Sequence, residues 1–95
     1  MTSRIKPNKA IRVVAASGTA NITTAGGFAN ATLNFTKPTN GEWIGTLLET
    51  VGASNSVNNV TVCVPTSDSE TTTVYRVVSS QVQTVTVSAR KIYLV

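Results

Sequence analysis

The sequence predicts an all-β protein: a small antiparallel β-sandwich or jelly-roll-like barrel of seven to eight short strands with an extended N-terminal arm. Three observations carry that prediction. Thr, Val and Ile fill 35 of the 95 positions (16, 14 and 5), and β-branched side chains, stiff at χ1, pack well on a pleated surface. Apolar residues recur with a period of two over most of the chain, as in strands with one buried face. Clusters of Gly, Pro, Asn and Ser separate these runs at short intervals, the punctuation of an antiparallel sheet protein.

Residues 1–10 are read as a basic arm and residues 11–95 as a single domain. Arg4, Lys6, Lys9 and Arg12 stand within the first twelve residues, and the first acid is Glu42. After the Pro7-Asn8 break, Ile11 to Ala15 reads as a first strand, and Thr19 to Thr24, past Ser17-Gly18, as a second. Gly26-Gly27 then turns the chain into its cleanest alternation: Ala29, Ala31, Leu33 and Phe35 on one face, Asn30, Thr32, Asn34 and Thr36 on the other. Lys37-Pro38-Thr39-Asn40-Gly41 is a turn, because Pro38 presets φ and Asn40-Gly41 tolerates positive φ.

Glu42 to Leu48 holds the single Trp and supports two readings. Trp43, Gly45 and Leu47 alternate as in a strand, whereas Ile44, Leu47, Leu48 and Val51 fall at helical spacing before Gly52, which leaves a helical turn from Thr46 to Val51 open. Ala53 to Asn58 reads as a loop. Asn59 to Val64 follows, with Val60, Val62 and Val64 on one face and Pro65 as its end, and Thr66 to Glu70 makes an exposed, acid-bearing connection. Thr71 to Val78, Val82 to Val87 and Lys91 to Val95 complete the strands.

Composition narrows the chemistry. There is no His, so the commonest general base and the commonest metal ligand are both absent. One cysteine, Cys63, and four carboxylates, Glu42, Glu49, Asp68 and Glu70, offer little from which to build a reaction centre. Ser3-Arg4-Ile5-Lys6 and Ser88-Ala89-Arg90-Lys91 match the Ser-x-x-Lys spacing, but that dyad needs a helix, and neither segment has a helical pattern. Glu42 and Glu49 would form a glycosidase pair only if a cleft brought them together. Asp68 and Glu70 lack the spacing of a calcium loop, and no cluster fits zinc or a phosphate loop. No catalytic residue, metal or organic cofactor is expected.

At 95 residues folding buries roughly 60 to 65% of the surface of the unfolded chain, so the core is thin and gains from contact between subunits. Charged residues are 13% of the chain against about 25% in an ordinary domain, with Thr, Ser and Asn filling the polar positions. The terminal Ile92-Tyr93-Leu94-Val95 and the flat, nearly uncharged strands around Tyr75 and Val82 to Val87 need covering. Tyr75, Tyr93, Leu94 and Val95 are therefore candidates for an oligomer interface. Trp43, beside the Asn40-Gly41 turn, is either a cap on the core or a carbohydrate-stacking receptor contact. Aromatics and basic residues are not interleaved as in an RRM or OB platform, so nucleic acid stands as a secondary alternative. The first residues lack the apolar stretch of a secretory signal, no apolar run suits a membrane helix, and a single cysteine fits assembly in a reducing cytoplasm. Cys63 itself reads as a small packed side chain.

A short Thr-, Val-, Asn- and Ser-rich β-domain without His, with a basic arm and an apolar last strand, resembles the small accessory proteins of tailed-bacteriophage virions. These are the capsid decoration (cement) proteins and the β-sandwich heads of head and tail fibres. Asn40-Gly41-Glu42-Trp43-Ile44-Gly45-Thr46-Leu47 is similar to the turn-Trp-Ile-Gly segment of some fibre heads, and Val85-Thr86-Val87 through Val95 to their closing strands. The decoration resemblance implies a homotrimer in the virion, assembled in the host cytoplasm, that holds capsomers together. The arm would then join a sheet of the major capsid protein or another virion protein by strand addition, with Arg4, Ile5, Lys6, Lys9 and Arg12 as its contacts. The fibre-head resemblance implies receptor binding instead.

Overall fold

The computed structural model describes residues 10–57 and 59–95. Its elements are six strands: β1 (Ile11–Ile22), β2 (Phe28–Asn34), β3 (Glu42–Ala53), β4 (Val60–Asp68), β5 (Thr72–Ser79) and β6 (Gln83–Leu94). They form two three-stranded antiparallel sheets, ordered β1-β6-β3 and β2-β5-β4. Among the described residues the fold is all-β, as the composition predicts, and in place of the seven or eight short strands expected there are six longer ones.

Each of these continuations has a structural cause. β1 runs straight through Ser17-Gly18, in unbroken register with β6 from Ile11 opposite Leu94 to Ile22 opposite Gln83. Gly18 marks a close approach rather than a turn, since a Cβ there would lie 2.4 Å from the Thr32 carbonyl oxygen of β2. β6 likewise continues through Ser88-Ala89-Arg90, with Ala89 buried between two outward polar residues. β4 continues through Pro65 because it is an edge strand, where a missing N–H is tolerated, and the register shifts there between Pro65 and Ser67.

In β3 the strand reading prevails over the helical one. Register shifts at Trp43/Gly45 and Leu48/Thr50 mark Ile44 and Glu49 as extra residues, and Leu47, opposite outward Arg90, and Leu48, opposite buried Ala89, face opposite sides, so the helical spacing marks no common face. A shift at Val60/Val62 interrupts the alternation in β4. Val60 and Cys63 consequently pack toward the core while Val62 and Val64 face outward, so the three valines do not share a face.

One core joins the two sheets. Ala20, Ile22, Val85, Val87 and Ala89 of the first meet Ala31, Leu33, Tyr75 and Val77 of the second, with Phe35 just beyond β2. The alternation read at Ala31, Leu33 and Phe35 is the buried face of that segment. The turns follow their chemistry: Gly27 N–H donates to Thr24 C=O with Gly26 at φ 78°, and Gly41 N–H donates to Pro38 C=O with Asn40 at φ 60°. Both place positive φ at the third turn position, where Gly and Asn are tolerated. At the β5–β6 corner the buried Gln83 donates from Nε2 to Ser79 Oγ (2.7 Å) and accepts from the Asn55 N–H (2.9 Å). Buried polar groups there are paired, as burial requires.

Candidate functional site

The two sheets meet differently along their two sides. Where β1 passes β2, Gly18 lets the backbones approach to contact distance. Along the other side, β3 and β4 are the outer strands of their sheets, and a shallow cleft of about 230 Å³ opens there, lined by Val51, Val60, Thr61, Val62 and Cys63. Beyond the cleft this side is spanned by a polar cluster.

Lys91, on the inward face of β6, is completely buried. Its ammonium donates three hydrogen bonds: to Thr46 Oγ1 on β3 (2.6 Å), to Thr73 Oγ1 on β5 (2.7 Å) and to Asp68 Oδ1 on β4 (2.7 Å). Both threonine hydroxyls pass their own hydrogens to the same Asp68 oxygen, at 3.0 and 2.7 Å. Every ammonium hydrogen is used, and the cluster ties two strands of one sheet to two of the other. The Phe35 and Trp43 rings lie 4.9 and 4.7 Å from the ammonium nitrogen, adding cation–π attraction.

Burial alone would raise the Asp68 carboxyl, but hydrogen bonds from Lys91, Thr73 and Thr46 and the Lys91 charge outweigh it and hold the group below its ordinary value. The carboxylate is the partly exposed member of the pair, with 36% of its side chain accessible. A charged Lys and a charged Asp in a closed network form an ionic latch. Beside it Tyr93 donates its hydroxyl to the Glu70 carbonyl, and burial followed by the Glu70 charge raises that phenol. Lys37 pairs with Glu70 at 3.4 Å on the surface.

Other residues singled out in the sequence fall as follows. Trp43 points inward over Lys91, its Nε1 buried without a hydrogen-bond partner among the described residues. Tyr75 and Tyr93 are 3% and 0% exposed, so as core side chains of the single chain they present no surface to an oligomer. This corrects their expected place: their in-phase positions on the central strands β5 and β6 turn them inward. Leu94 and Val95 keep half-buried surface. Arg12 is exposed near the start of β1, while Arg4, Ile5, Lys6 and Lys9 lie outside the described residues.

Ser88 and Lys91 sit three apart on β6 and face opposite sides of the sheet. Glu42 and Glu49 are seven residues apart on one strand, a separation of about 20 Å, too far for paired carboxylates. Glu49 instead pairs with Arg90 at 2.8 Å. Cys63 packs against the core, and burial pushes its thiol up, which leaves it little thiolate character. The latch itself was missed in the sequence, although Lys91 stands in phase with Val85, Val87, Ala89 and Tyr93, all inward positions of β6. Asp68, assigned to a connection, belongs to the end of β4.

The outer faces carry a second pattern. On the first sheet, the rows Ile11–Leu94–Glu42, Val13–Ile92–Gly45 and Ala15–Arg90–Leu47 give way to Ser17–Ser88–Thr50 and Thr19–Thr86–Gly52. One end is rich in apolar side chains, with Glu42 and Arg90 among them, and the other is a hydroxyl surface. On the second sheet, Phe28–Val78–Val62 and Asn30–Arg76–Val64 lie side by side, with the Arg76 guanidinium 3.8 Å over the Phe28 ring. No family model, curated protein or solved structure matches this chain.

Proposed function

We propose that this protein is a non-enzymatic structural component of a virion. In this reading it is a small β-sandwich that attaches to the capsid as an oligomeric decoration (cement) protein and stabilises contacts between capsomers. The observation that carries the reading is where the arm is rooted. Ala10 and Val95 exchange two backbone hydrogen bonds, at 3.1 and 3.0 Å, which fixes Ala10, the residue that follows the basic segment in sequence, at the end of the first sheet beside Ile11, Leu94 and exposed Arg12.

A cationic segment next to an apolar end supplies charge for encounter with an acidic surface and apolar contact for residence. Strand addition by the arm to the major capsid protein or another virion protein would satisfy its backbone donors and acceptors. The 12-residue strands β1, β3 and β6 offer long flanks for neighbouring copies, in keeping with a homotrimer assembled in the host cytoplasm. The receptor contact that a fibre-head reading assigns to Trp43 is not outward, because that ring is engaged inside with Lys91.

The test is cosedimentation with undecorated phage capsids, comparing the full chain with one starting at Ile11. Binding by the full chain and loss of binding without residues 1–10 is the expected result. A protein that ignores capsids in both forms, while folded, removes this reading.

A further inference from the structure

Both sheets expose apolar side chains on the faces turned away from the shared core, and the two faces differ in charge. The first sheet presents Ile11, Val13 and Leu47, all exposed, with Ile92 and Leu94 between them, and Glu42 closes the row that runs through Ile11 and Leu94. Among the described residues Glu42 is the one acid without an ion-pair partner, because Glu49, Asp68 and Glu70 are taken by Arg90, Lys91 and Lys37. The second sheet presents Phe28, Val62 and Val64, exposed, beside half-buried Val78. In their midst is Arg76, which touches an aromatic ring but no carboxylate among the described residues.

We propose that the outer face of the second sheet binds the outer face of the first sheet of another copy of this chain. The charges select unlike faces. Pairing two copies of the second sheet about a two-fold axis through its central strand brings the Arg76 guanidiniums toward each other with no carboxylate between them, and so desolvates like charges. The first-sheet face carries Arg90 already paired with Glu49 and, in Glu42, one carboxylate left over for a cation of the other face. Unlike faces set Arg76 against Glu42 and apolar rows against apolar rows. Such a contact is heterologous: each copy offers one donor face and one acceptor face, and the set closes into a ring when the rotation permits. It therefore covers both apolar faces of every copy, whereas a two-fold contact leaves one of them in water. The inference rests on the oligomeric part of the reading above and specifies its interface, without using the arm.

Complementation tests it. Val64→Asp blocks the second-sheet face and Val13→Asp blocks the first-sheet face, both at exposed positions outside the core. Each variant alone is expected to be monomeric by light scattering after size exclusion, at concentrations where the wild type is oligomeric, with an unchanged circular dichroism spectrum. An equimolar mixture is expected to form a one-to-one dimer, since each variant keeps the face that the other lacks. Arg76→Glu should weaken self-association about tenfold or more, with recovery on mixing with Glu42→Arg. Three results overturn the proposal: a wild type that stays monomeric, either aspartate variant dimerising alone, or a mixture that stays monomeric while both variants are folded. All are read without capsids, so failure of capsid attachment and failure of this interface are separate results.

Discussion

The side where β1 meets β2 and the side where β3 faces β4 solve one problem in opposite ways. At the first, Gly18 removes a side chain, and the backbones of the two layers come together at Thr32. At the second, side chains hold the layers at one end through the Lys91 latch, and a valine-lined cleft opens farther along. Backbone contact is rigid and insensitive to solution conditions, because it contains no titrating group. A latch built on a partly exposed carboxylate depends on pH and on a single ion pair. Burial is concentrated in β5 and β6, which are flanked on both sides within their sheets, and thins out along the edge strands β3 and β4.

The sharpest way to break this comparison is Gly18→Ala. The added Cβ would meet Thr32 backbone atoms at 2.4 and 2.9 Å, which neither layer can yield by a rotamer change. A loss of about 3 kcal/mol, the upper range for overpacking, is expected in urea denaturation. A change within about 0.5 kcal/mol would mean the layers slide freely on that side and the contrast is wrong.

Next in size is the latch, where the two partners should not be equivalent. Asp68→Ala strands a fully buried ammonium and is expected to cost about 2 to 3 kcal/mol, below the extreme for buried pairs because Asp68 is partly exposed. Lys91→Met removes the buried charge, leaves a carboxylate that can reach water, and should cost about 1 kcal/mol or less. Hydrogen exchange should accelerate on β3 and β4 in Asp68→Ala and leave β1 and β2 unchanged. Uniform acceleration would show that the latch serves the whole domain rather than one side.

The smallest effect sharpens the same point through pH. The Asp68 carboxyl lies below its ordinary value in the folded chain, so the unfolded chain binds the proton more readily. The stability it contributes is therefore complete above the ordinary carboxyl value of about 4 and is lost as pH falls through the lowered folded value. Unfolding monitored by Trp43 fluorescence, with the indole beside Lys91, should show this acid-side slope in the wild type. The Asp68→Asn variant should have a shallower slope, and equal slopes would assign the acid sensitivity to other carboxylates.

How much of this was legible in the sequence varies element by element. The alternation at Ala29, Ala31, Leu33 and Phe35 reports a regular strand with one buried face, and the structure keeps that face inward. The same logic misplaced Val60, Val62 and Val64, because a bulge at Thr61 reverses the face in mid-strand. In β3 two such bulges interrupt the alternation, and apolar residues on both faces give a spacing that reads as helical. Glycine and proline usually break a strand, and at Gly18 and Pro65 the strand continues. Here the first answers to a neighbouring strand and the second to an unpaired edge. The latch unites residues 46, 68, 73 and 91 from four strands, and no local window contains it.

The sequence by itself determined the all-β class, the positions of the Pro38–Gly41 and Thr24–Gly27 turns and the inward face of β2, since each depends on residues within a few positions of one another. Only the tertiary structure decided the number of strands, the contrast between the two sides and the pairing of Lys91 with Asp68. A bulge, a close backbone approach and a buried ion pair are each set by what a distant strand places opposite. That information resides in register and layer packing, not in the order of residues along any one segment.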